Sequence, residues 1–306
     1  FKFEMDNIPE KQIREVLLAL EEKRKYFRLQ NGSLLSLETR EFEEINRFLR
    51  ELPGQIEELE SGMNVPIVRG IQHLDSINDR SLLKLEESFR QFLESIRNPD
   101  SLEFEVPKSL ELILRDYQKL GFKWLKTLAS YRFGGILADD MGLGKTLQSI
   151  AFILSELSVI RKKKLPVLIV SPSSLTYNWL SEISKFAPEV QAIVVDGTKT
   201  ERFKIQKDVM DRDVVIISYP LLRRDIKWLE KLDFHTVFFD EAQVFKNPMT
   251  QTARSVKKIQ AAHRFALTGT PVENSLQELW SIFHVVFPEL FMGLKEYSNL
   301  SRKTIA

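Results

Sequence analysis

A glycine-rich segment of the chain combines residue types that could bind a phosphate group. From the end of an apolar run into a helical pattern, its residues are Asp139, Asp140, Met141, Gly142, Leu143, Gly144, Lys145 and Thr146. The two glycines let the backbone curl so that successive N–H groups point inward, and the helix N-terminus adds partial positive charge. Lys145 could contact the β- and γ-phosphates of a nucleotide, and the Thr146 hydroxyl could bind Mg²⁺. The strict pattern places glycine where Asp139 stands, so a tight strand–helix turn with a solvated lysine is the alternative.

A pair of acidic residues follows a second apolar run. Val237–Phe239 leads directly into Asp240 and Glu241. Asp240 could hold Mg²⁺, directly or through water, and Glu241 could orient and deprotonate an attacking water. The alternative is a pair of solvated acids at a strand end. Two adjacent carboxylates repel each other in the absence of a cation, so a phosphate-bound Mg²⁺ would also explain why they are adjacent.

Several other polar and aromatic residues support weaker interpretations. The amide of Gln118 could pair with adenine, but on composition alone an exposed helical glutamine is favoured. The basic run at residues 161–164 suits a solvated helix C-terminus better than a phosphate contact. The four histidines show no metal-ligand spacing. Three tryptophans are interpreted as packing residues rather than base-stacking platforms; they are Trp179, Trp228 and Trp280.

Strand and helix patterns alternate from Ser109 onwards and must position these residues. Short apolar runs typical of buried strands occur at 135–138, 167–170, 192–195, 214–217, 237–239 and 265–267. Helical patterns lie between them at 145–160, 174–186, 250–259 and 275–287. The alternation predicts an α/β fold, a mostly parallel sheet with helices on both faces. Such sheets bind ligands beyond the carboxyl ends of their strands, where the glycine-rich segment and the acid pair would meet.

The first hundred residues predict a small, mainly helical unit with a β-hairpin. Helical patterns cover residues 10–22, 38–52 and 80–96. Asn31 and Gly32 separate two β-compatible runs, which predicts a hairpin turn in which both residues tolerate positive φ. The segment 98–107 is the predicted linker. We therefore expect two domains, residues 1–106 and residues 107–306.

Composition excludes several classes of protein. With 43% hydrophobic and 10% aromatic residues the chain can fill a core, and without cysteine it has neither disulfides nor a thiolate zinc site. No apolar run of 18 residues occurs, so we expect no membrane partner. Residues 1–106 hold 15 basic and 22 acidic residues, and residues 107–306 hold 29 and 21. The basic second part is compatible with a polyanionic partner.

The motifs together resemble helicase superfamily two and, within it, the DNA translocases of the SWI/SNF type. Ile136–Thr146 is similar to that family's first motif, with aspartate at 139, and Asp240–Gln243 is similar to its Walker B motif. Further matches follow in the family's order at Leu114–Gln118, Ser171–Leu175, Asn178–Trp179, Lys246–Pro248 and Leu267–Asn274. Residues 1–106 resemble, more weakly, the accessory region that precedes this ATPase core in bacterial members.

The resemblance implies a RecA-like lobe, the first of two, that binds ATP and one side of double-stranded DNA. It implies nucleotide contacts from Gln118, Asp140, Met141, Gly142, Leu143, Gly144, Lys145, Thr146 and Gln148. It implies catalytic roles for Lys145, Asp240 and Glu241, with Mg²⁺ held by Thr146 and Asp240. It implies strand-tracking or coupling roles for Ser171, Ser174, Ser218, Tyr219, Lys246 and Thr270. Ile217–Pro220 departs from the family's commoner Thr-Thr-Tyr form, which weakens the DNA role of that segment.

The second lobe of the family is not expected within this chain. Few residues follow Thr270, whereas a lobe needs about 150, and the only arginine among them is Arg302. An arginine finger from the second lobe contributes roughly 10³–10⁵ in rate, so we expect ATP binding with weak hydrolysis. The missing initiator methionine also suggests a piece of a longer protein. We expect a bacterial, cytoplasmic, nucleoid-associated parent that acts on DNA-bound protein complexes.

Two other functions remain as alternatives. The lobe could belong to an RNA or restriction-type helicase motor, which a preference for duplex DNA over single strands would argue against. It could also be a non-catalytic docking module with a vestigial nucleotide pocket. The presence of Lys145, Asp240 and Glu241 together speaks against that second alternative.

Overall fold

The structure, a computed structural model, describes a large part of the chain. The described residues are 5, 8–51, 87–97, 104–140, 142–272, 275–288 and 290–291. Met141, the start of the predicted helix at 80–96 and most of the predicted linker lie outside them. The chain forms two units, Phe1–Glu86 and Glu87–Ala306. The domain boundary after residue 106 stays a prediction.

The first unit contains helices around a short hairpin. Its described elements are α1 (Glu10–Glu21), β1 (Tyr26–Arg28), β2 (Leu34–Ser36) and α2 (Arg40–Glu51). Helix α1 begins after Pro9, whose fixed φ suits a helix start, and buries one apolar face that includes Val16 and Leu20. Leu37 and Phe42 pack against that face. The small core thus follows from the helical spacing of apolar residues in α1.

The hairpin forms where the sequence predicts it, but its turn is longer than two residues. Strands β1 and β2 pair antiparallel, with Tyr26 opposite Ser36. The Gly32 N–H donates to the Leu29 carbonyl at 2.9 Å, and Gly32 has φ +85°. Asn31 does not have positive φ; its side-chain oxygen instead accepts from the Ser33 N–H at 3.0 Å. Only the glycine therefore needs the left-handed region.

The second unit alternates helices and strands. Its described elements begin with α3 (Glu87–Arg97), α4 (Asp116–Ser130), β3 (Gly135–Leu137), α5 (Lys145–Lys163), β4 (Val167–Ser171), α6 (Thr176–Phe186) and β5 (Ala192–Val195). They continue with α7 (Lys199–Gln206), β6 (Val214–Ser218), α8 (Tyr219–Leu229), β7 (Asp233–Asp240), α9 (Gln251–Val256), β8 (Gln260–Leu267) and α10 (Leu276–Val286). Single-turn 3₁₀ helices occur at Ser173–Leu175, Val209–Asp211 and Ala242–Phe245.

The strands of the second unit form one parallel sheet in the order β3-β8-β7-β4-β6-β5. In its register Leu137 of β3 and Asp240 of β7 both lie opposite Leu267 of β8. Ser171 of β4 lies opposite Ser218 of β6. The predicted α/β class and mostly parallel sheet are confirmed. Because the strands are parallel, the residues that follow them all lie on the same side of the sheet, at the carboxyl ends of the strands.

Both faces of the sheet are covered, as the continuous apolar strands require. Successive residues of β4 point to opposite sides: Ile169 packs with α4, α5 and α6, whereas Val170 packs with α8, α9 and α10. On the first side, Phe152 of α5 makes edge-to-face contacts with Phe238 and Phe265, whose ring centroids lie 5.8 and 5.5 Å away. The sheet is therefore the rigid middle layer of the second unit.

Two strands extend beyond their apolar runs, and two helices were not predicted. Strand β7 begins at Asp233 and β8 at Gln260, so the first residue pairs of these two strands include polar residues. His235 can be buried there because α5 provides a partner, Glu156, at 3.5 Å. Helix α7 has a predominantly polar sequence in which Arg202 is the one buried residue, so its apolar periodicity is weak. Helix α8 does have an apolar face, with Tyr219, Leu222 and Leu229 buried, and the sequence prediction missed it.

Among the described residues, no helix combines the length and apolar character needed to cross a bilayer.

Candidate nucleotide-binding site

The glycine-rich segment forms a turn from β3 into α5, as the phosphate hypothesis requires. Gly142 and Gly144 have φ of +84° and +75°, in the left-handed region that glycine adopts most easily. Gly144 is the N-cap residue of α5, a helix of 19 residues, so the helix N-terminus points its free N–H groups at the loop. A Cβ on Gly142 would meet no atom within 4 Å, which leaves that side of the loop open. Met141 lies outside the described residues.

Lys145 folds back over the loop that precedes it. Its Nζ atom donates to the carbonyl oxygens of Asp139 and Asp140 at 2.7 and 3.0 Å. The ammonium group is therefore held at the mouth of the loop by two neutral acceptors. A phosphate oxygen is a stronger acceptor than a carbonyl because it is charged, so the amine can exchange these bonds for contacts with a nucleotide.

Gln118 connects the start of α4 to the glycine loop. Its Oε1 accepts from the Arg115 N–H at 3.0 Å, and its Nε2 donates to the Leu143 carbonyl at 3.1 Å. A Cβ on Gly144 would lie 2.3 Å from that Nε2 atom, so a larger residue there would displace the Gln118 amide from its bond to Leu143. The side chain is 6% exposed, which contradicts the interpretation of Gln118 as an exposed helical glutamine. Its contact with adenine stays a prediction.

Asp139, where the strict pattern has glycine, pairs with Gln148 beneath the loop. The Gln148 Nε2 donates to Asp139 Oδ2 at 2.8 Å. Gln148 is fully buried, its Oε1 has no hydrogen-bond partner, and it packs where a Cβ on Gly121 would lie only 1.8 Å from that oxygen. The aspartate thus anchors the loop to α5. Gln148 supports the loop from below, and its contact with nucleotide stays a prediction.

Asp240, at the end of β7, is held at three points. Its Oδ2 accepts from the indole Nε1 of Trp179 at 2.8 Å, and its Oδ1 accepts from the Glu241 N–H at 3.0 Å. Its carbonyl oxygen accepts from the Tyr219 hydroxyl at 2.7 Å. Each carboxylate oxygen keeps a lone pair beyond these bonds. The group is therefore oriented by the protein and still able to accept from water or bind a cation.

Burial raises the pKa of Asp240, and the neighbouring charge of Glu241 raises it further. The Trp179 hydrogen bond and the positive charge of Lys145 act in the opposite direction. Burial also raises the pKa of Tyr219, with the two carboxylates adding to it, so its hydroxyl stays a donor. The influence of Lys145 on Asp240 means that the glycine loop and the acid pair lie within electrostatic range.

Glu241 adopts φ +49° and ψ +53°, a left-handed conformation that costs a non-glycine residue roughly 1–2 kcal/mol. This turn directs its side chain towards Gln243, whose Nε2 donates to Glu241 Oε2 at 2.5 Å. The Gln243 Oε1 accepts from the Thr268 hydroxyl at 2.8 Å, and the Thr270 N–H donates to that same hydroxyl oxygen at 3.1 Å. The proposed base is thus connected to the loop after β8.

The residues predicted to touch DNA lie at the same edge of the sheet but differ in exposure. Ser174 is exposed, Thr270 is half-buried, and Lys246 is half-buried with its Nζ atom 3.5 Å from Glu278. Ser171 is fully buried and Ser218 is 4% exposed. The sixth residue, Tyr219, is buried against Asp240. Their roles in DNA binding stay predictions.

A cavity of about 290 Å³ opens beyond the carboxyl ends of β4, β5 and β6. Its polar lining consists of the hydroxyl residues Ser173, Thr176 and Ser218, of Arg224 and of Asp196, whose carboxylate accepts from the Gly197 N–H at 2.7 Å. Arg224 is exposed. Hydroxyls and a guanidinium are donors that contact phosphate in nucleic-acid complexes, whereas the Asp196 carboxylate would repel one.

The basic run at the end of α5 is exposed, and its first residue also forms an ion pair. Arg161 donates to both carboxylate oxygens of Asp213 at 2.9 and 2.8 Å and to the Glu189 carbonyl at 2.8 Å. The exposure of the run agrees with the interpretation of a solvated helix C-terminus, and Arg161 in addition joins α5 to the residue before β6. Lys162 and Lys163 are exposed.

The residues present fit a magnesium ion in their chemistry. The Thr146 hydroxyl in the first turn of α5 and the Asp240 carboxylate are oxygen ligands, which Mg²⁺ prefers. A second carboxylate, Glu241, follows directly, and the burial that raises the pKa of Asp240 disfavours two bare negative charges there. A cation would relieve that cost.

The parallel sheet, the glycine loop and the acid pair define a RecA-like nucleotide-binding lobe. Residues 117–306 match the SNF2-related domain, and residues 1–107 match the bacterial SNF2 helicase-associated domain. The chain therefore belongs to the SNF2-related family.

The chain is also similar to several curated or solved relatives. It is 34% identical over 253 residues to the TATA-binding protein-associated factor MOT1 of Saccharomyces cerevisiae, covering 79% of this chain and 14% of that protein. It is 43% identical over 190 residues to an uncharacterized ATP-dependent helicase of Mycoplasma genitalium, covering 62% and 18%. The Sulfolobus solfataricus SWI2/SNF2 ATPase core in complex with dsDNA is 40% identical, with a TM-score of 0.54, covering 61% of this chain and 38% of that one. The chain thus spans less than a fifth of these two curated relatives.

Three residues of the site were not assigned a role there from the sequence. Trp179 was treated as packing, although it stands in a motif that follows β4. Gln243 was noted only as the fourth residue of a motif, and Asp139 only as a departure from a pattern. The sequence shows that each of these residues stands in a motif, but it does not show its hydrogen-bond partner, because some partners lie in distant segments. Trp179 pairs with Asp240, and Gln243 pairs with Thr268.

Proposed function

We propose that the second unit binds MgATP between its glycine loop and its acid pair, as one lobe of a motor that moves along double-stranded DNA. One observation carries the proposal: Leu137 and Asp240 lie in register on either side of Leu267. The loop that follows β3 and the acids that end β7 therefore open onto the same edge, two strands apart. The Thr268 N–H also donates to the Leu137 carbonyl at 3.2 Å, which joins the β3 and β8 ends.

In this proposal each residue has a defined task. The loop N–H groups and Lys145 bind the β- and γ-phosphates, and Thr146 and Asp240 hold the metal. Mg²⁺, when bound, would neutralise charge on the phosphates. Glu241 accepts the proton of the attacking water, and its carboxylate is aimed by the bond from Gln243. Each task uses a donor or acceptor that already lies at the carboxyl edge of the sheet.

Full turnover in this proposal requires a second lobe that supplies positive charge to the transition state. The match covers 61% of this chain and only 38% of the solved relative, so that relative is about one and a half times as long as this chain. An arginine finger contributes roughly 10³–10⁵ in rate, so the 306-residue chain alone should bind ATP and hydrolyse it slowly.

The DNA partner is supported by the relative solved with dsDNA and by the donors around the cavity at the ends of β4, β5 and β6. Arg224 lines that cavity, and Ser174 lies in the 3₁₀ turn Ser173–Leu175, whose first residue lines it too. Both residues are exposed and could contact the phosphates of one strand. Together with Ser171, Ser218, Tyr219, Lys246 and Thr270, they would form or support the strand-tracking surface. We place the parent in the bacterial cytoplasm at the nucleoid because residues 1–107 match a bacterial domain. We propose that it acts on DNA-bound proteins because the chain is similar to the TATA-binding protein-associated factor MOT1.

The experiment is a comparison of ATP binding and turnover with three nucleic acids. Calorimetry should detect MgATP binding by the 306-residue chain, and its turnover should stay low with or without DNA. A version that carries a second lobe should be stimulated by duplex DNA more than by single strands or RNA. Stimulation by RNA alone would favour an RNA helicase motor, and the absence of any heat on ATP addition would favour a docking module.

A further inference from the structure

The indole of Trp179 makes a contact that core packing alone does not require. Trp179 lies on α6, is 1% exposed and packs in the core between α6 and the sheet. A phenylalanine would fill most of that volume. The indole N–H, however, needs an acceptor once it is buried, and it donates to Oδ2 of Asp240 at 2.8 Å, 61 residues away in the chain.

That acceptor is the carboxylate assigned to Mg²⁺. Asp240 sits at the last position of β7, where its main chain is fixed by the sheet and by the Tyr219 hydroxyl. The remaining freedom of the carboxylate is rotation about its side-chain bonds. The Trp179 N–H on one oxygen and the Glu241 N–H on the other restrict that rotation.

We propose that Trp179 is a positioning residue that holds the Asp240 carboxylate in the orientation that binds Mg²⁺ at the nucleotide. The inference rests on the proposed MgATP site. Partners of this kind, which hydrogen-bond a metal-binding group, typically change metal affinity 10–100-fold when they are removed. Trp179 adds no contact to the nucleotide itself, so its loss should weaken the contribution of the metal and leave binding of metal-free ATP nearly unchanged.

The position of Trp179 also depends on the loop that follows β4. Helix α6 starts at Thr176, directly after the 3₁₀ turn Ser173–Leu175. A hydrogen bond of 2.8 Å weakens steeply when the donor moves or tilts, so the orientation of Asp240 depends on where α6 lies.

Trp179→Phe keeps the ring packing and removes the donor, and Trp228→Phe on α8 is the matched control. Calorimetry on the 306-residue chain measures ATP affinity with Mg²⁺ and with EDTA for both variants and the unaltered protein. We expect Trp179→Phe to reduce the Mg²⁺-dependent gain in affinity about tenfold or more, with affinity in EDTA within about twofold of the unaltered protein. Trp228→Phe should change neither value.

If folded Trp179→Phe and the unaltered protein show the same Mg²⁺-dependent gain in ATP affinity, Trp179 does not position Asp240 for the metal. Absence of any MgATP binding by the unaltered protein would instead overturn the proposed function. The two failures are therefore separate.

A second measurement covers the case in which Trp179→Phe does not fold. In the unaltered chain labelled with ¹⁵N-indole, the four tryptophans give four Nε1–H signals. The Trp179 signal is assigned by elimination with three single Phe variants, at Trp124, Trp228 and Trp280. We expect its chemical shift to change when Mg²⁺ is added to the ATP complex, because a metal held by Asp240 would draw electron density from the carboxylate that accepts the indole hydrogen bond. If the chemical shift of the Trp179 indole signal does not change when Mg²⁺ is added, the proposal is overturned.

Discussion

The side-chain amide of Gln243 donates to the Glu241 carboxylate at 2.5 Å, two residues along the same turn. The contact is possible because Glu241 takes the left-handed conformation and the 3₁₀ turn Ala242–Phe245 brings Gln243 back beneath it. The other end of the amide accepts from the Thr268 hydroxyl at 2.8 Å. The orientation of the proposed base is therefore fixed from the loop after β8 as well as from its own turn.

Gln243→Met should lower turnover in a two-lobed form of the protein without weakening ATP binding. Methionine has a similar length but cannot donate to Glu241, and a hydrogen bond to a charged group contributes about 1.5–3 kcal/mol. If that orientation matters in the transition state, kcat falls roughly ten- to a hundredfold. Steady-state kinetics with duplex DNA give kcat and KM separately. Gln251→Met, at the exposed start of α9, is the control. Unchanged kcat in Gln243→Met would show that Glu241 needs no such support.

Glu241→Gln tests the base itself. The substitution keeps the size and the hydrogen-bonding capacity of the side chain but removes its ability to accept a proton at neutral pH. General-base catalysis contributes about 10²–10⁴ in rate, so turnover by the two-lobed protein should fall by that factor while MgATP stays bound. Single-turnover kinetics and a nucleotide-binding assay measure the two effects. Turnover at the unaltered rate would remove Glu241 from its assigned task.

Lys145→Ala should abolish most nucleotide affinity because it removes the full positive charge at the mouth of the glycine loop. Charge-assisted bonds to phosphate are the strong ones, so we expect at least a tenfold loss in affinity. Lys162→Ala, near the other end of the same helix, removes an equal charge from an exposed site and should leave affinity unchanged. Calorimetry with ADP and ATP on the folded chain measures both. Equal affinities for the three proteins would support the docking alternative.

The sequence alone predicted the edge of the sheet at which the site lies. Apolar runs such as Val167–Val170 are continuous because both of their faces are covered, so they identify buried parallel strands without any further information. The glycine loop was also predictable, because positive φ at Gly142 and Gly144 is a local requirement of the chain. The apolar runs and the glycine pattern were therefore enough to predict the fold class and the positions at which β3 and β7 end.

Contacts between distant segments were not predictable in the same way. The bond from Trp179 to Asp240 joins residues 61 positions apart, and nothing in the spacing of either segment specifies it. The polar first half of β7 was missed because its burial depends on a partner, Glu156 of α5, for His235. The ion pair of Arg161 with Asp213 was missed for the same reason, since a basic run resembles a solvated helix end until its partner is known.

Gly144→Ala should be more harmful than Gly142→Ala, although both glycines have positive φ. The left-handed conformation costs an alanine about 1–2 kcal/mol at either position. At Gly144 the new methyl group would also lie 2.3 Å from Gln118 Nε2 and break its bond to the Leu143 carbonyl, whereas at Gly142 it meets nothing within 4 Å. Chemical denaturation should show the larger loss of stability in Gly144→Ala, and calorimetry the larger loss of ATP affinity. Equal losses would mean that Gln118 does not hold the loop.

A buried polar cluster lies away from the nucleotide site, where α5 crosses the polar ends of β7 and β8. The Glu156 carboxylate contacts Lys126 and lies 3.5 Å from His235 Nε2, and His235 stacks edge-on against His263 at 5.3 Å. The hydrogen bond from His235 lowers the pKa of Glu156 from 4.5 to about 2, assisted by Lys126 against the effect of burial. The His263 Nδ1 atom is buried and has no hydrogen-bond partner.

His263→Phe should reduce the acid sensitivity of the second unit. Burial lowers the pKa of His263 from 6.5 to about 4, with the charges of His235, Lys163 and Arg132 adding to it and that of Glu156 opposing it. In the unfolded chain His263 is protonated below pH 6.5, whereas in the folded chain it stays neutral down to about pH 4. The free energy of unfolding therefore decreases as the pH falls from 6.5 to about 4. Removing the imidazole should recover on the order of 1–2 kcal/mol of that loss, with little change at pH 8, where the group is neutral in both states. Urea denaturation at pH 8, 6.5, 5 and about 4 measures the free energy of unfolding of both proteins. A pH dependence identical in the two proteins would show that His263 titrates alike in the folded and unfolded chains.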